Sequence, residues 1–315
     1  MCYLFLCTIV IRYDIDRERK SMSTKLVNLR IDFAFKQLFG TKGNEEILTG
    51  FLNATLEESL DAPITSLQLD DPHLHKSYED DKLSILDLLA TLDNGTQVNI
   101  EIQLRNTHDM VKRSLYYWSK LYTSQMQEGM PYRSLRKTIT INLLDFILFS
   151  QDDAFHTIGQ LWNTKMQQLL SDDIEIHFVE IPKLVKQWRE EKVNPWENTF
   201  VRWMLLLPAH EDEHLTQTLE EIAMNQDPIL QKAINKWENM SHDSSFRTAY
   251  EAREKLLLDE QAKLAHAEQE GMEKGIEQGK MQMIRGMHEI GVPLETIAKA
   301  SKLSVKEIER ILNIK

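Results

Sequence analysis

The stretch Val98-Asn99-Ile100-Glu101-Ile102-Gln103-Leu104 alternates strictly between apolar and polar residues. A period of two is that of a β-strand and does not fit a helix. Val98, Ile100, Ile102 and Leu104 then face an apolar layer, while Asn99, Glu101 and Gln103 share the opposite face. Just upstream, Ser84-Ile85-Leu86-Asp87-Leu88-Leu89-Ala90 is apolar on both faces except for one carboxylate, as expected of a strand buried centrally in a sheet. Asp93-Asn94-Gly95 between the two runs reads as a hairpin turn.

The length of that turn decides whether the carboxylates meet. A loop of Asn94 and Gly95 alone would set Asp87 opposite Ile102, on the wrong face, whereas a loop of Asp93, Asn94 and a left-handed Gly95 sets Asp87 opposite Glu101. Two carboxylates on neighbouring strands repel each other and are costly to bury unless a cation joins them. Oxygen ligands with retained waters suit Mg²⁺ or Mn²⁺. Such an ion binds a phosphate, stabilises charge developing in a displacement and lowers the pKa of an attacking water. The spacing therefore predicts hydrolytic phosphodiester chemistry with Asp87 and Glu101 as ligands; the alternative is a pair of ordinary strand-edge residues with Gln103 incidental.

A chain of 315 residues with 42% hydrophobic content can bury a sizeable core. Its net charge of -12 argues against a surface that grips phosphate everywhere, so a nucleic-acid site has to be local. Cys2 and Cys7 are the two cysteines, which leaves no disulfide framework or thiolate zinc site for the body of the chain and fits a reducing, cytoplasmic compartment. The apolar run over residues 1–11 lacks a charged leader and is too short to span a bilayer. Residues 1–23 read as an N-terminal extension, either an upstream mis-start or a loose arm.

Apolar spacing predicts short helices over residues 31–39, with Asp32 as cap, and over residues 44–56, with Asn44 as cap. Strands follow over 64–69, 83–92 and 96–104, then a helix over 108–128 stopped by Gly129 and Pro131, and strands over 138–146, 156–162 and 174–181 closed by Pro182. The rest is helical, including 198–207, 215–224 and a long polar helix over 244–286. Five segments result: the extension, an α/β domain over 24–190, a helical region over 191–243, the polar helix, and a helix-turn-helix-like tail over 287–315.

Several of these residues together resemble one family: Phe33-Ala34-Phe35-Lys36 through Phe39, Phe51-Leu52-Asn53, Leu86-Asp87, Asn99-Ile100-Glu101-Ile102-Gln103, Arg113-Ser114-Leu115-Tyr116-Tyr117-Trp118 and Val179-Glu180-Ile181-Pro182-Lys183. In order and spacing they are similar to the Rpn family of recombination-promoting nucleases and putative transposases, within the PD-(D/E)XK superfamily, from about Asn28 to Lys183. The resemblance implies a restriction-endonuclease-like αβββαβ core, Mg²⁺-dependent DNA cleavage, and a role in recombination or mobile elements. It makes Asp87 and Glu101 metal ligands. The superfamily's water-polarising lysine falls on Gln103, whose carbonyl can orient a water but which brings no positive charge, so slow turnover and an inactive, DNA-binding relative are both open. The superfamily's helical glutamate falls on Glu46, although helical geometry turns Glu46 away from the apolar stripe and keeps Glu45 at its border.

Residues 105–137 carry seven basic and two acidic side chains. Arg105, Lys112, Arg113 and Lys120 are the predicted DNA contacts, while Tyr116, Tyr117 and Trp118 serve as stacking platforms or as core. His73 and His75 have a ligand-like spacing, but Asp70-Asp71-Pro72 reads as a turn. Gly271, Gly275 and Gly279 form a small-residue stripe on the polar helix, read as a homo-oligomer contact or as a loose linker. In the tail, Ser304 and Glu307 form a capping box, with Lys302, Lys306 and Arg310 turned to phosphate or the helices docked on a partner helix.

Overall fold

The computed structural model describes residues 25–74 and 84–314. The N-terminal extension and His75 therefore lie outside the described residues. The chain forms two units, one through Tyr250 and one over Glu251–Lys315.

In the first unit, helices α1 (Asp32–Phe39) and α2 (Glu45–Thr55) precede strand β1 (Leu67–Leu69). The short strands β2 (His73–Leu74) and β3 (Ser84–Ile85) pair with each other, apart from the main sheet. Then come β4 (Leu88–Leu92), β5 (Gln97–Gln103), helix α3 (Met110–Ser124) and β6 (Thr138–Leu144). β1, β4 and β5 form an antiparallel meander and β6 joins β5 in parallel. This is the αβββαβ order the sequence implies. β7 (His156–Asn163) and the long β8 (Gln168–Glu180) complete a six-stranded mixed sheet in the order β1-β4-β5-β6-β8-β7.

β6 is buried at every residue, as a central parallel strand with both faces covered must be. Leu88 lies 3.3 Å from where a Cβ on Gly40 would stand, so its side meets the end of α1. Leu89, on the other face, clusters with Tyr117 and Leu121 of α3. Helices thus cover both sides of the β4–β5 hairpin.

Helices α4 (Ile181–Arg189), α5 (Thr199–Leu206), α6 (Glu213–Gln226) and α7 (Pro228–His242) belong to this same unit. Trp203 of α5 is buried against Phe51 and Phe39, at 6.3 and 6.5 Å between ring centroids. Gly50 makes that approach possible: a Cβ there would lie 2.7 Å from Ile229 and 3.0 Å from the Trp203 ring.

Several local expectations change. Ile31, not Asp32, takes the N-cap position of α1. Asn44 does stand at the N-cap of α2 but makes no cap bond; its amide instead donates to the carbonyls of Gln37 (3.2 Å) and Leu38 (2.8 Å), closing the end of α1. The strand expected over 83–92 is broken at Leu86–Asp87. Pro182 opens α4 rather than merely ending β8, since proline suits the first helical turn; Pro228 does the same for α7, behind Asp227 as cap.

Helix α8 (Ser244–Glu289) carries the chain into the second unit. There Ile284 near its end packs with Ile297 of α9 (Leu294–Ser301) and Ile308 of α10 (Val305–Leu312), all fully buried. The tail helices dock on α8 itself, and the Ser304/Glu307 capping box forms. Among the described residues no helix is long and apolar enough to cross a membrane.

Candidate active site

The geometry starts at the turn. Gly95 takes the left-handed conformation (φ +84°) and its N–H donates to Leu92 O at 2.9 Å. Asp93 ties the turn to the entry of β1: its carboxylate accepts from the Thr65 hydroxyl and, at 2.9 Å, from the Thr65 N–H. With this three-residue loop Leu88 pairs with Ile100 and Thr91 with Gln97. One place beyond the last pair, Asp87 stands opposite Glu101, and the bend at Asp87 turns its backbone N–H toward Glu101 Oε1, 3.4 Å away.

The two carboxylates differ in environment. Asp87 Oδ2 accepts from the Ile102 N–H at 2.9 Å, and Oδ1 pairs with Lys36 Nζ of α1 at 3.0 Å. Glu101 has a side chain only 1% exposed, and its contacts are long: 3.5 Å from Gln103 Nε2 and 3.7 Å from Arg113 Nη2. Burial, with the Asp87 charge adding to it and Arg113 opposing it, pushes the Glu101 carboxyl up to about 8. Arg113 also donates to Gln103 Oε1 at 3.3 Å, and its guanidinium lies over the Tyr117 ring at 5.2 Å. Beside this group, Asn99 and Thr140 are buried at paired positions on β5 and β6; Thr140 Oγ1 has no hydrogen-bond partner among the described residues, and the Asn99 side chain lies near enough to Glu101 to oppose the rise in its pKa.

Asp87, Glu101 and Gln103 thus come together, and Arg113 joins them. Lys112 is exposed and Arg105 half-buried near the same end of β5, whereas Lys120 lies farther along α3, over the Tyr116 ring at 5.9 Å. Glu46 does not join: both its oxygens sit 2.7 Å from Lys232 of α7. The other basic residues of 105–137 also lie elsewhere. Lys137 binds Glu175 at 3.0 Å and Ser59 O at 2.9 Å, and Arg136 packs beside Gly95 at the far end of the hairpin. Tyr117 is core, and Trp118 donates to Thr138 O at 3.0 Å.

The residue the sequence reading missed is Lys36. Its signal was present: it is the one basic residue in an otherwise apolar Ala34–Phe39 run apart from Gln37. A second polar cluster was missed as well. Glu175 accepts from His177 Nε2 (2.7 Å) and Lys137, and His177 Nδ1 faces His156 Nε2 at 3.0 Å. Burial and the nearby His177 push His156 down to about 4; burial works to raise Glu175, but hydrogen bonds from His177, Ser59 and Lys137 together outweigh it and lower that carboxyl to about 2.

Among the described residues no three His, Cys, Asp or Glu side chains converge as a metal cage. Two carboxylates with the Gln103 carbonyl nevertheless fit a hard cation that keeps several of its waters, and a nearly buried carboxylate with only long contacts has acceptor capacity to spare.

A helix-flanked mixed sheet with an acidic pair at the hairpin of its two central antiparallel strands is a PD-(D/E)XK-like fold. The sequence model of the PD-(D/E)XK nuclease family transposases matches residues 29–267, and the chain belongs to that family. The match runs well past Lys183 and takes in the rest of α4 and all of α5 to α7, which the first resemblance left out. No curated protein and no solved structure matches the chain.

Proposed function

We propose that this protein is a divalent-cation-dependent DNA endonuclease of the Rpn type, acting in recombination or on mobile elements in the cytoplasm. Asp87 and Glu101 would hold Mg²⁺ or Mn²⁺, which when bound supplies Lewis acidity and an activated water. Gln103 orients that water through its carbonyl. Arg113 holds Gln103 and offsets the charge on Glu101, and Arg105, Lys112 and Lys120 contact the DNA backbone. The observation that carries this reading is the pairing of Asp87 with Glu101 across the hairpin, inside a family of nuclease-like transposases. Net hydrolysis adds water across the phosphodiester, forming one phosphorus–oxygen bond as another breaks.

Self-association through α8 belongs to the same proposal. Gly271, Gly275 and Gly279 have nothing within 4 Å of a Cβ position, and Leu264, Met272 and Ile276 are exposed along that helix.

One observation favours a second reading, a non-cleaving DNA-binding relative: Lys36 and Arg113 already offset the acidic pair. Plasmid incubated with Mg²⁺ or Mn²⁺ separates the two. Cleavage that chelator and Glu101→Ala both abolish supports the enzyme; no cleavage with either metal, or cleavage equal in all tubes, removes it.

A further inference from the structure

Gln103 leaves the acidic pair without the ammonium that a lysine would bring from the same strand, and two cations reach the pair from helices instead. They are not equivalent. Arg113 is committed within the fold: one nitrogen donates to Gln103, another stands near Glu101, the guanidinium covers Tyr117, and Nε is enclosed without a partner. Among the described residues Lys36 makes a single ion pair, with Asp87 Oδ1, and is not tied to other side chains, while the two cations are about equally open to solvent, 36% for Lys36 and 33% for Arg113. The neighbours of Lys36 explain its aim. Ala34, Phe35, Leu38 and Phe39 anchor α1 in the core, which fixes where the backbone of Lys36 stands. Asp87, 14% exposed, is the less enclosed of the two carboxylates, so Lys36 sits on the side from which a phosphate arrives.

We propose that Lys36 is a catalytic residue of the phosphodiester hydrolysis, delivering from α1 the positive charge that Gln103 cannot supply. Its ammonium donates to a non-bridging oxygen of the scissile phosphate, where negative charge grows during attack. In that step the water oxygen bonds to phosphorus as the bond from phosphorus to the leaving sugar oxygen breaks. The water's proton passes to solvent, the leaving oxygen takes one from solvent, and Lys36 keeps its protons throughout. The inference rests on the nuclease reading.

A charge placed there also repels a cation held by Asp87, so the test has a readout apart from turnover. Lys36→Met and Lys36→Arg are made in the full chain beside Glu101→Ala, with thermal melting to show that each folds. Lys36→Met is expected to bind Mn²⁺, followed by electron paramagnetic resonance, as tightly as wild type or more tightly. It should bind DNA in Ca²⁺ within about threefold of wild type, yet cleave about 10²-fold more slowly. Lys36→Arg, which keeps the charge but not the compact ammonium, should recover part of the rate. Lys36→Met cleaving within about threefold of wild type while Glu101→Ala is inert overturns the role of Lys36 alone. Loss of Mn²⁺ binding in Lys36→Met overturns it too, since Lys36 would then merely prop up Asp87. A wild type inert with every metal overturns the nuclease reading, and Lys36 with it.

Discussion

Glu101 concentrates the electrostatic cost of the site in one side chain. Its folded pKa, about 8, lies above the ordinary 4.5, so the native state holds a proton that the unfolded chain releases earlier. Stability linked to that proton is complete below about pH 4.5 and is lost as pH rises through about 8. Glu101→Gln keeps the shape without the charge. In chelator its melting temperature should equal that of wild type near pH 4.5 and exceed it by several degrees at pH 9, the gap opening between those limits. A gap that does not change with pH would mean that Glu101 titrates normally. In wild type, divalent cation should raise the melting temperature more at pH 8 than at pH 6, because the ligand must be ionised to bind.

At the scale of elements, two packing devices can be measured. The first is the close crossing at Gly50. Gly50→Ala pushes a methyl into Ile229 and Trp203 and should cost about 1–3 kcal/mol by urea denaturation, despite the better helix propensity of alanine. The second is the Glu180–Lys183 pair at the start of α4. Glu180 accepts from the N–H groups of Leu148 (2.5 Å) and Phe149 (3.1 Å), while Lys183 donates to Phe149 O (2.7 Å), Ala154 O (3.2 Å) and Glu180 itself (2.8 Å). Lys183→Met strands a buried carboxylate and should cost roughly 3–5 kcal/mol; the Glu180→Gln, Lys183→Met double variant should recover part of it. An equal loss in both would assign the cost to the loop carbonyls instead.

These elements also show what the residue pattern conveys. Alternation in β5 and the Asp93-Asn94-Gly95 turn, being local properties, were enough to foresee the hairpin and to narrow its register to two, of which the structure has the one with the three-residue loop. Lys36 and the His156–His177–Glu175 chain were not foreseeable that way. Each joins segments far apart in sequence; alternation with Ile174, Ile176 and Phe178 puts Glu175 and His177 on one face, but it does not show that His156, Lys137 or, for Lys36, Asp87 lies across from them. Glu46 was placed by likeness against its own helical geometry, and the geometry agrees with where Lys232 holds it.

For the whole molecule, a net charge of -12 means that the proposed DNA contact has to be a small basic footprint. If Arg105, Lys112 and Lys120 contact the DNA backbone as proposed, binding in Ca²⁺ should weaken with salt along a log–log slope of roughly -3. A slope twice as steep would require the second unit, with Lys302, Lys306 and Arg310, to contribute. The same global view gives the exposed hairpin turn an unusual weight. β4 is apolar on both faces, so burial alone would accept it shifted by one residue against β5. Surface loops usually absorb insertions and deletions freely. Here the loss of a single residue from Asp93-Asn94-Gly95, about 20 Å from the carboxylates, would leave a well-folded protein whose acidic pair no longer meets. The meeting of Asp87 and Glu101 is thus set by the residue count of a turn that contacts neither side chain.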